Sequence, residues 1–188
     1  MALQRDTLAD RILAELRPGL SDDVLHQIDS LAEALTTARR IACYGVGREG
    51  LMIKALAMRL FHLGLDAHVV GDMTTPPVAI KDVLFISARP GHFSTAEALT
   101  DVARNAGAKV ICVTAEPEGS VPVKADLVIH LPAQTMAADH GEAASSILPM
   151  GSLYEAMMFL FFEILVLDLR DRLDIAPEAM RANHTNLE

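Results

Sequence analysis

Apolar runs of two kinds alternate along most of this chain. Five short runs are continuous and are bounded by glycine, proline or charged residues, as buried parallel strands are. They cover residues 41–46, 66–71, 82–87, 109–114 and 126–131. Between and after them, apolar residues recur at helical spacing over residues 49–63, 94–106 and 150–173. Strands that alternate with helices predict βαβ units and a parallel sheet.

The first part of the chain is predicted to be helical. Apolar residues share one helix face before Pro18, and Ser21 can cap a second helix behind it. We therefore expect a helical segment over residues 1–38 that packs on a single α/β domain of residues 39–188. The tail after Ala176 is predicted to be helical and then irregular.

The acidic balance of the chain limits its partners. The 16 Lys and Arg residues stand against 25 Asp and Glu residues, the formal net charge is -9, and no basic run occurs. Nucleic acid is therefore not expected as the main partner, because phosphate backbones require clustered Lys and Arg. A small anionic ligand remains compatible with this charge, since helix dipoles and local donors act at close range.

The cysteines and the chain start indicate a cytoplasmic protein. Cys43 and Cys112 each lie in a predicted strand, where we expect buried structural residues. The charged N-terminus lacks the apolar core of a signal peptide. The apolar stretch 156–167 falls short of the ~20 residues that a membrane span needs, so we predict a core or interface helix and no membrane partner.

One polar loop has loose metal-ligand character. It contains Asp139, His140 and Glu142, but no further ligand lies at a fixed spacing from them. A polar loop is therefore the better interpretation, and no metal is expected.

Two loops follow strands at their predicted carboxyl ends, where parallel sheets bind ligands. The first, Gly45–Gly50, follows the first strand and opens a helix. The second, Ser87–Thr95, follows the third strand and leads into a helix with a capping-box pattern at Ser94 and Glu97. Amides at helix N-termini and loop hydroxyls can hold an anionic group.

The first loop also matches the Gly-x-Gly-x-x-Gly pattern of dinucleotide-binding proteins. Asp72 lies 22 residues beyond Gly50, near where an acid that binds ribose would fall. An NAD-binding protein is therefore one alternative. A glycine pattern this short is weak alone, and the chain leaves no room for a separate substrate domain.

A longer set of motifs resembles a known family. A helix with the pattern K-A-x-A-M-R-L-x-H-L-G follows the glycine loop at residues 54–64, and Thr75-Pro76 comes after it. Two further motifs are PMGSLYE at residues 149–155 and HTNLE at residues 184–188. Together they resemble the 6-phospho-3-hexuloisomerases of the sugar isomerase (SIS) domain family, from about residue 40 to the last residue.

This resemblance implies a fold and a ligand. The fold would be a single SIS domain with a five-stranded, flavodoxin-like, doubly wound parallel sheet, flanked by helices that include N-terminal ones and a C-terminal one. The ligand would be a sugar phosphate or a related sugar derivative, with no cofactor or metal. The protein would be a homo-oligomer, a tetramer or a dimer.

The resemblance also implies a reaction and two catalytic residues. A carbonyl would move between neighbouring carbons of a phosphorylated hexulose through an enediol, which requires a base and an acid. Glu155 is the candidate base, and the apolar stretch beside it would bury it in part; the alternative is a helix glutamate that faces solvent or an interface. His184 is the candidate acid or ring-opening group and would reach a neighbouring subunit's site; the alternative is a mobile C-terminal histidine.

The candidate substrate-binding residues depart from the family pattern in both loops. Glu49 replaces a serine of the first loop, and the second loop has become SARPGHFST, which introduces Arg89. Three accounts stay open: Arg89 pairs with Glu49 and seals the pocket, Arg89 binds the phosphate, or the ligand class has changed. The candidate binding residues are Gly45, Gly47, Arg48, Glu49, Ser87, Arg89, Ser94 and Thr95.

Three functional hypotheses follow. The first is a sugar-phosphate isomerase, 6-phospho-3-hexuloisomerase-like, with atypical phosphate loops. The second is a non-catalytic SIS-type protein that binds a sugar derivative, which the altered loops favour and the presence of Glu155 and His184 disfavours. The third is the NAD-binding protein.

Overall fold

Five parallel strands form the centre of this protein's computed structural model, which describes residues 5–136, 139 and 144–187. The strands are β1 (Arg40–Tyr44), β2 (Ala67–Val69), β3 (Asp82–Ser87), β4 (Lys109–Thr114) and β5 (Leu127–His130). Their order across the sheet is β2-β1-β3-β4-β5, and every neighbouring pair is parallel. The predicted doubly wound, flavodoxin-like sheet is confirmed.

The strand order creates a switch point between β1 and β3. The chain leaves β1 toward β2 on one side and leaves β3 toward β4 on the other, so the loops after these strands diverge. The two strands are direct neighbours, with Tyr44 opposite Ile86. A crevice at the carboxyl edge of such a pair is where open α/β sheets bind ligands.

Alternate residues of the strands face two apolar layers. The strand residues of the larger layer are Ile41, Cys43, Val83, Phe85, Ile111, Val113 and Ile129. Those of the smaller layer are Ala42, Leu84, Ile86, Val110 and Cys112. Because both faces of the sheet are buried, the strands are continuous apolar runs in the sequence.

Helices cover both faces of the sheet. Those of the described residues are α1 (Arg5–Leu16), α2 (Asp22–Leu25), α3 (Gln27–Thr37), α4 (Gly47–His62), α5 (Ser94–Asn105), α6 (Ser152–Arg172) and α7 (Pro177–Ala182). Apolar residues of α3, α4 and α6 belong to the larger layer, and those of α5 belong to the smaller one.

α6 is a core helix of the larger layer, although its composition would also suit a membrane span. An 18-residue window of the Pro149–Arg172 stretch has a mean hydropathy of 1.7, and 56% of it is buried inside the domain. Phe161 is fully enclosed, and the ring of Phe162 packs edge-on against Phe85 of β3 with centroids 5.7 Å apart. The predicted core helix is thus confirmed.

α6 begins later than the sequence predicted. The expected start was about residue 150, but Met150 and Gly151 have φ angles of 56° and 76°, and the helix starts at Ser152. A left-handed residue cannot be part of a right-handed helix. These two residues instead form a turn that leads into α6.

The predicted capping box at the start of α5 is wrong. Phe93 is the N-cap residue, and Ser94 is already the first helical residue. The carboxylate of Glu97 lies 2.9 Å from Lys124 Nζ and accepts a hydrogen bond from Ser120 Oγ at 3.2 Å. Glu97 therefore binds the connection between β4 and β5 and does not cap its own helix.

Two polar side chains of the N-terminal helices form hydrogen bonds with the rest of the domain. Gln27 on α3 donates to the carbonyl of His130 at 3.0 Å and accepts from its amide at 2.7 Å, as a further strand would. Glu15 on α1 accepts hydrogen bonds from Ser146 Oγ at 2.6 Å and from the amide of Ile147 at 3.1 Å. These contacts fix the edge of the sheet and the chain that leads to α6.

Both cysteines are buried in strands, as predicted. Cys43 lies in β1 and Cys112 in β4, and neither has exposed surface. Burial raises the pKa of each thiol to about 12. Neither residue is therefore a nucleophile at neutral pH.

Candidate active site

The loop between β1 and α4 is closed by contact between two glycines. A Cβ on Gly50 would lie 2.4 Å from the carbonyl oxygen of Gly45. Gly47 starts α4 with a φ of 57°, a conformation that favours glycine. The three glycines thus serve a tight strand-to-helix turn, which places Arg48 and Glu49 in the first turn of α4.

The loop after β3 is fixed by the end of β4. The amide of Ala88 donates to the carbonyl of Val113 at 3.0 Å, and the hydroxyl of Thr114 donates to the carbonyl of Ala88 at 2.7 Å. The amide of Ala115 donates to the carbonyl of Arg89 at 3.2 Å. The first residues of this loop therefore continue the sheet.

Glu49 fills the space between these two loops. Its side chain is only 3% exposed, and its Oε2 accepts hydrogen bonds from the hydroxyl of Ser87 and, at 3.0 Å, from the amide of Arg89. Burial raises the pKa of Glu49, and the charge of Glu155 adds to the rise. The two hydrogen bonds and the charge of Arg89 oppose it. Arg89 therefore does contact Glu49, but the contact is a hydrogen bond from the backbone amide of Arg89. It is not an ion pair with the guanidinium.

A chain of hydrogen bonds extends from Glu49 to α6. The hydroxyl of Ser87 donates its one hydrogen to Glu49, so the hydroxyl of Tyr154, 3.3 Å away, is the donor to Ser87. Tyr154 is fully buried, and burial raises the pKa of its phenol well above the ordinary value. The phenol therefore stays a protonated donor, and the chain links α4, β3 and α6.

Glu155 lies between two guanidinium groups in the first turn of α6. It is 5% exposed, with Arg48 Nε 3.0 Å from its Oε2 and Arg89 Nη1 3.5 Å from its Oε1. The side chain of Arg48 is 65% exposed and that of Arg89 only 11%. Arg48 also donates to the hydroxyl of Ser152 at 2.8 Å. The switch point therefore holds a buried carboxylate with one accessible and one enclosed cation.

The turn before α6 is shaped to receive Arg89. A Cβ on Gly151 would lie 2.1 Å from Arg89 Nη1, so any other residue would displace the guanidinium from its present position. The same Nη1 donates to the carbonyl of Met150 at 3.3 Å. The left-handed turn thus points the carbonyl of Met150 at Arg89. The guanidinium of Arg89 is thereby placed beside Glu155.

Two predicted binding residues lie farther along the second loop. Ser94 and Thr95 are in the first turn of α5, and their side chains are exposed. Their hydroxyls and the neighbouring amides remain accessible to an anionic group.

His184 does not join this cluster within one subunit. Its ring packs on that of His62, with centroids 5.1 Å apart, at the last residue of α4. Glu49 is at the opposite end of this 16-residue helix, which is about 24 Å long. His184 therefore lies far from Glu49 and from the residues that contact it in the same chain.

Sequence reasoning missed Tyr154 and the Met150–Gly151 turn as parts of the site. Both lie in the PMGSLYE motif, and the adjacency of Tyr154 to Glu155 was the available signal. In the loop that was predicted to be polar, Asp139 accepts a hydrogen bond from the amide of Met150 at 2.9 Å. His140 and Glu142 lie outside the described residues.

Comparisons with known proteins agree with this architecture. The SIS domain family model matches residues 34–160, so the chain belongs to the SIS domain family. The 3-hexulose-6-phosphate isomerase of Bacillus subtilis is 34% identical over 94% of this chain and 95% of its own length.

Solved structures extend the likeness to three dimensions. A Methanococcus jannaschii protein, whose crystal structure infers a molecular function of 3-hexulose-6-phosphate isomerase, superposes with a TM-score of 0.81 at 28% identity and full coverage of both chains. The Vibrio vulnificus NanR protein complexed with ManNAc-6P has a TM-score of 0.74 at 18% identity, covering 94% of this chain and 66% of its own, and shares the fold. The name 3-hexulose-6-phosphate isomerase denotes the same activity as 6-phospho-3-hexuloisomerase, so the predicted resemblance is confirmed.

The raised pKa of Glu49 predicts a pH-dependent cost to stability. Below the ordinary value of 4.5, Glu49 is protonated in both the folded and the unfolded state. As the pH rises above 4.5, the unfolded state ionises first, so the free energy of unfolding falls until the folded pKa is reached. We expect Glu49→Gln to remove this fall.

Chemical denaturation of both proteins between pH 4 and 8 measures the effect. The stability of Glu49→Gln relative to the wild type should rise with pH from about 4.5 upward. Glu33→Gln, at an exposed position on α3, is the matched control and should show a constant difference. A constant difference for Glu49→Gln as well would contradict the prediction.

Proposed function

We propose that this chain is a sugar-phosphate isomerase that interconverts ketoses, as 3-hexulose-6-phosphate isomerases do. The observation that carries the proposal is the buried Glu155, held at the switch point between Arg48 and Arg89. A carboxylate enclosed at a ligand crevice is suited to abstract a proton from carbon. Membership of the SIS family and the names of the relatives support the same reaction.

The proposed reaction moves a carbonyl by one carbon without an external oxidant or reductant. Glu155 takes a proton from the carbon next to the carbonyl, and the C–H electrons form the double bond of an enediol while the carbonyl oxygen takes a proton from the proposed acid, His184 of the partner subunit, and becomes a hydroxyl. Glu155 returns its proton to the former carbonyl carbon, and the neighbouring hydroxyl gives its proton back to that histidine and becomes the new carbonyl.

The two guanidinium groups beside Glu155 are the proposed ligands of the substrate phosphate. Arg48 is accessible, and Arg89 lies beside it across Glu155. Guanidinium groups bind phosphate through paired charged hydrogen bonds. Gly45, Gly47 and the hydroxyls of Ser94 and Thr95 complete the proposed binding surface at the two helix N-termini.

Replacement of Glu155 tests the base. Glu155→Gln should lower turnover by on the order of 10²–10⁴-fold, because the amide cannot accept the proton, while sugar-phosphate affinity stays nearly unchanged. NMR of fructose 6-phosphate in D₂O measures C–H exchange directly, and calorimetry measures binding.

Glu163→Gln is the matched control on the same helix. Glu163 is half-exposed and lies 3.9 Å from Arg59, away from the site, so this variant should exchange like the wild type. Undiminished exchange in Glu155→Gln would remove Glu155 from the role. Binding without any exchange in the wild type would favour the non-catalytic sugar-binding protein.

Replacement of Arg89 tests the phosphate ligand. Arg89→Ala should weaken binding of fructose 6-phosphate by about tenfold or more, since a charged hydrogen bond contributes about 1.5–3 kcal/mol. Arg104→Ala, at the far end of α5, is the control and should bind normally. Calorimetric titration gives both constants, and an unchanged constant for Arg89→Ala would exclude this role.

A homo-oligomer is part of the proposal. Exposed apolar side chains on two adjacent helices support a contact with a second copy: Leu51, Met58 and Phe61 on α4, and Phe159 and Leu167 on α6. The distance of His184 from its own subunit's Glu155 supports a site completed by the neighbouring subunit. The free buried thiols support a cytoplasmic location, which cell fractionation would test.

Mixed oligomers test the shared site. Glu155→Gln and His184→Ala should each be nearly inactive alone. Dimers formed by unfolding and refolding the two together should recover about a quarter of wild-type activity, because half of them contain one intact site. Full activity of His184→Ala alone, or no recovery in verified mixed oligomers, would argue against a shared site.

A further inference from the structure

We infer that Glu49 is a built-in anion that occupies the donors of the turn after β3 and thereby acts as a positioning residue for Arg89. Its effect on turnover rests on the proposed function, whereas its role as an internal anion does not. The inference replaces the expectation that Glu49 touches the substrate.

Two donors converge on one oxygen of Glu49. They are the hydroxyl of Ser87 and the backbone amide of Arg89, and the amide lies 3.0 Å from Oε2. A hydroxyl and a backbone amide that point to one place can both donate hydrogen bonds to a carboxylate or phosphate oxygen. Here a side chain of the protein itself fills it.

The surroundings of Ser87 enclose this arrangement. Ser87 has no exposed surface, and its Oγ lies 3.3 Å from the hydroxyl of Tyr154 and 3.7 Å from Met158 Sδ. Glu49 is itself almost fully buried beneath the loop. A substrate phosphate would have to displace the carboxylate to reach these donors, so in the native protein it must bind elsewhere in the cluster.

In the turn after β3, the hydrogen-bond donors depend on Glu49, whereas the backbone carbonyls have other partners. The carbonyls of Ala88 and Arg89 are already satisfied by Thr114 and Ala115. The amide of Arg89 and the hydroxyl of Ser87 have their acceptor in Glu49. Loss of the carboxylate would leave the part-buried amide of Arg89 without its acceptor and Ser87 with only Tyr154 and Met158 as partners, which is costly and favours a rearranged turn.

A rearranged turn would move the guanidinium of Arg89. In the present position its Nη1 lies 3.5 Å from Glu155 and 3.3 Å from the carbonyl of Met150, and it fits against Gly151. Glu49 therefore acts on the proposed base through Arg89, without touching the substrate.

Removal and replacement of the anion test the inference. Glu49→Ala leaves a space of carboxylate size next to both donors, and formate is the smallest carboxylate that can fill it. Thermal unfolding and the isomerase rate are measured for the wild type, Glu49→Ala and Glu49→Gln, each with and without sodium formate, with sodium chloride at equal ionic strength. Glu33→Ala, at an exposed position on α3, is the matched control.

The expected results separate positioning from general folding. Formate should raise the melting temperature of Glu49→Ala and leave that of the wild type and of Glu33→Ala unchanged. Glu49→Ala should lose on the order of 10²-fold in kcat/KM, as a misplaced site group does, and formate should restore part of it. Glu49→Gln should stay within about threefold of the wild type, because its amide oxygen can accept both hydrogen bonds.

Three results would overturn the inference. They are wild-type kcat/KM in Glu49→Ala, formate that neither stabilises nor reactivates this variant, and a Glu49→Gln variant as inactive as Glu49→Ala, which would indicate that turnover needs the charge or a proton transfer of Glu49 and that its hydrogen bonds are not enough. If Glu49→Ala does not fold even with formate, near-normal activity of Glu49→Gln supports the inference and its loss overturns it. If the wild type is not an isomerase, the effect of formate on the melting temperature of Glu49→Ala still tests whether Glu49 acts as an internal anion.

Discussion

The hydrogen bonds that Glu49 accepts from Ser87 and Arg89 tie the start of α4 to the end of β3, at the switch point of the sheet. Through Ser87 the same network reaches Tyr154, and through Arg89 it reaches Glu155, both on α6. An unpaired carboxylate at this depth would cost several kcal/mol, so its donors are as necessary to the fold as the carboxylate is to them. The crevice therefore keeps this form only while α4, β3 and α6 hold their present positions relative to one another.

The charges of the crevice nearly balance. Glu49 and Glu155 bring two carboxylates, and Arg48 and Arg89 bring two guanidinium groups, of which only Arg48 is well exposed. Buried charges persist when they are paired and hydrogen-bonded. A dianionic phosphate that enters this cluster would meet accessible positive charge at Arg48 first and could then share Arg89 with Glu155.

The sequence was sufficient for the elements whose cause is local and insufficient for those that depend on distant partners. β3 and β4 follow from unbroken apolar runs, and their predicted bounds agree with the structure. The start of α6 does not follow, because Met150 and Gly151 are left-handed in a turn that accommodates Arg89, 61 residues earlier. The capping box failed for the same reason, since Glu97 binds Lys124 and not its own helix start. Motifs located Glu49 and Arg89, but only the fold shows that they meet through a backbone amide.

The buried phenol at the crevice also gives the protein a built-in optical probe. The chain contains no tryptophan and only two tyrosines, Tyr44 at the end of β1 and Tyr154 on α6. Tyrosine emission is therefore not masked by indole. Because the Tyr154 hydroxyl lies in the hydrogen-bond chain to Glu49, its ultraviolet spectrum is coupled to any rearrangement of the crevice, and an unlabelled sample can report occupancy of the site.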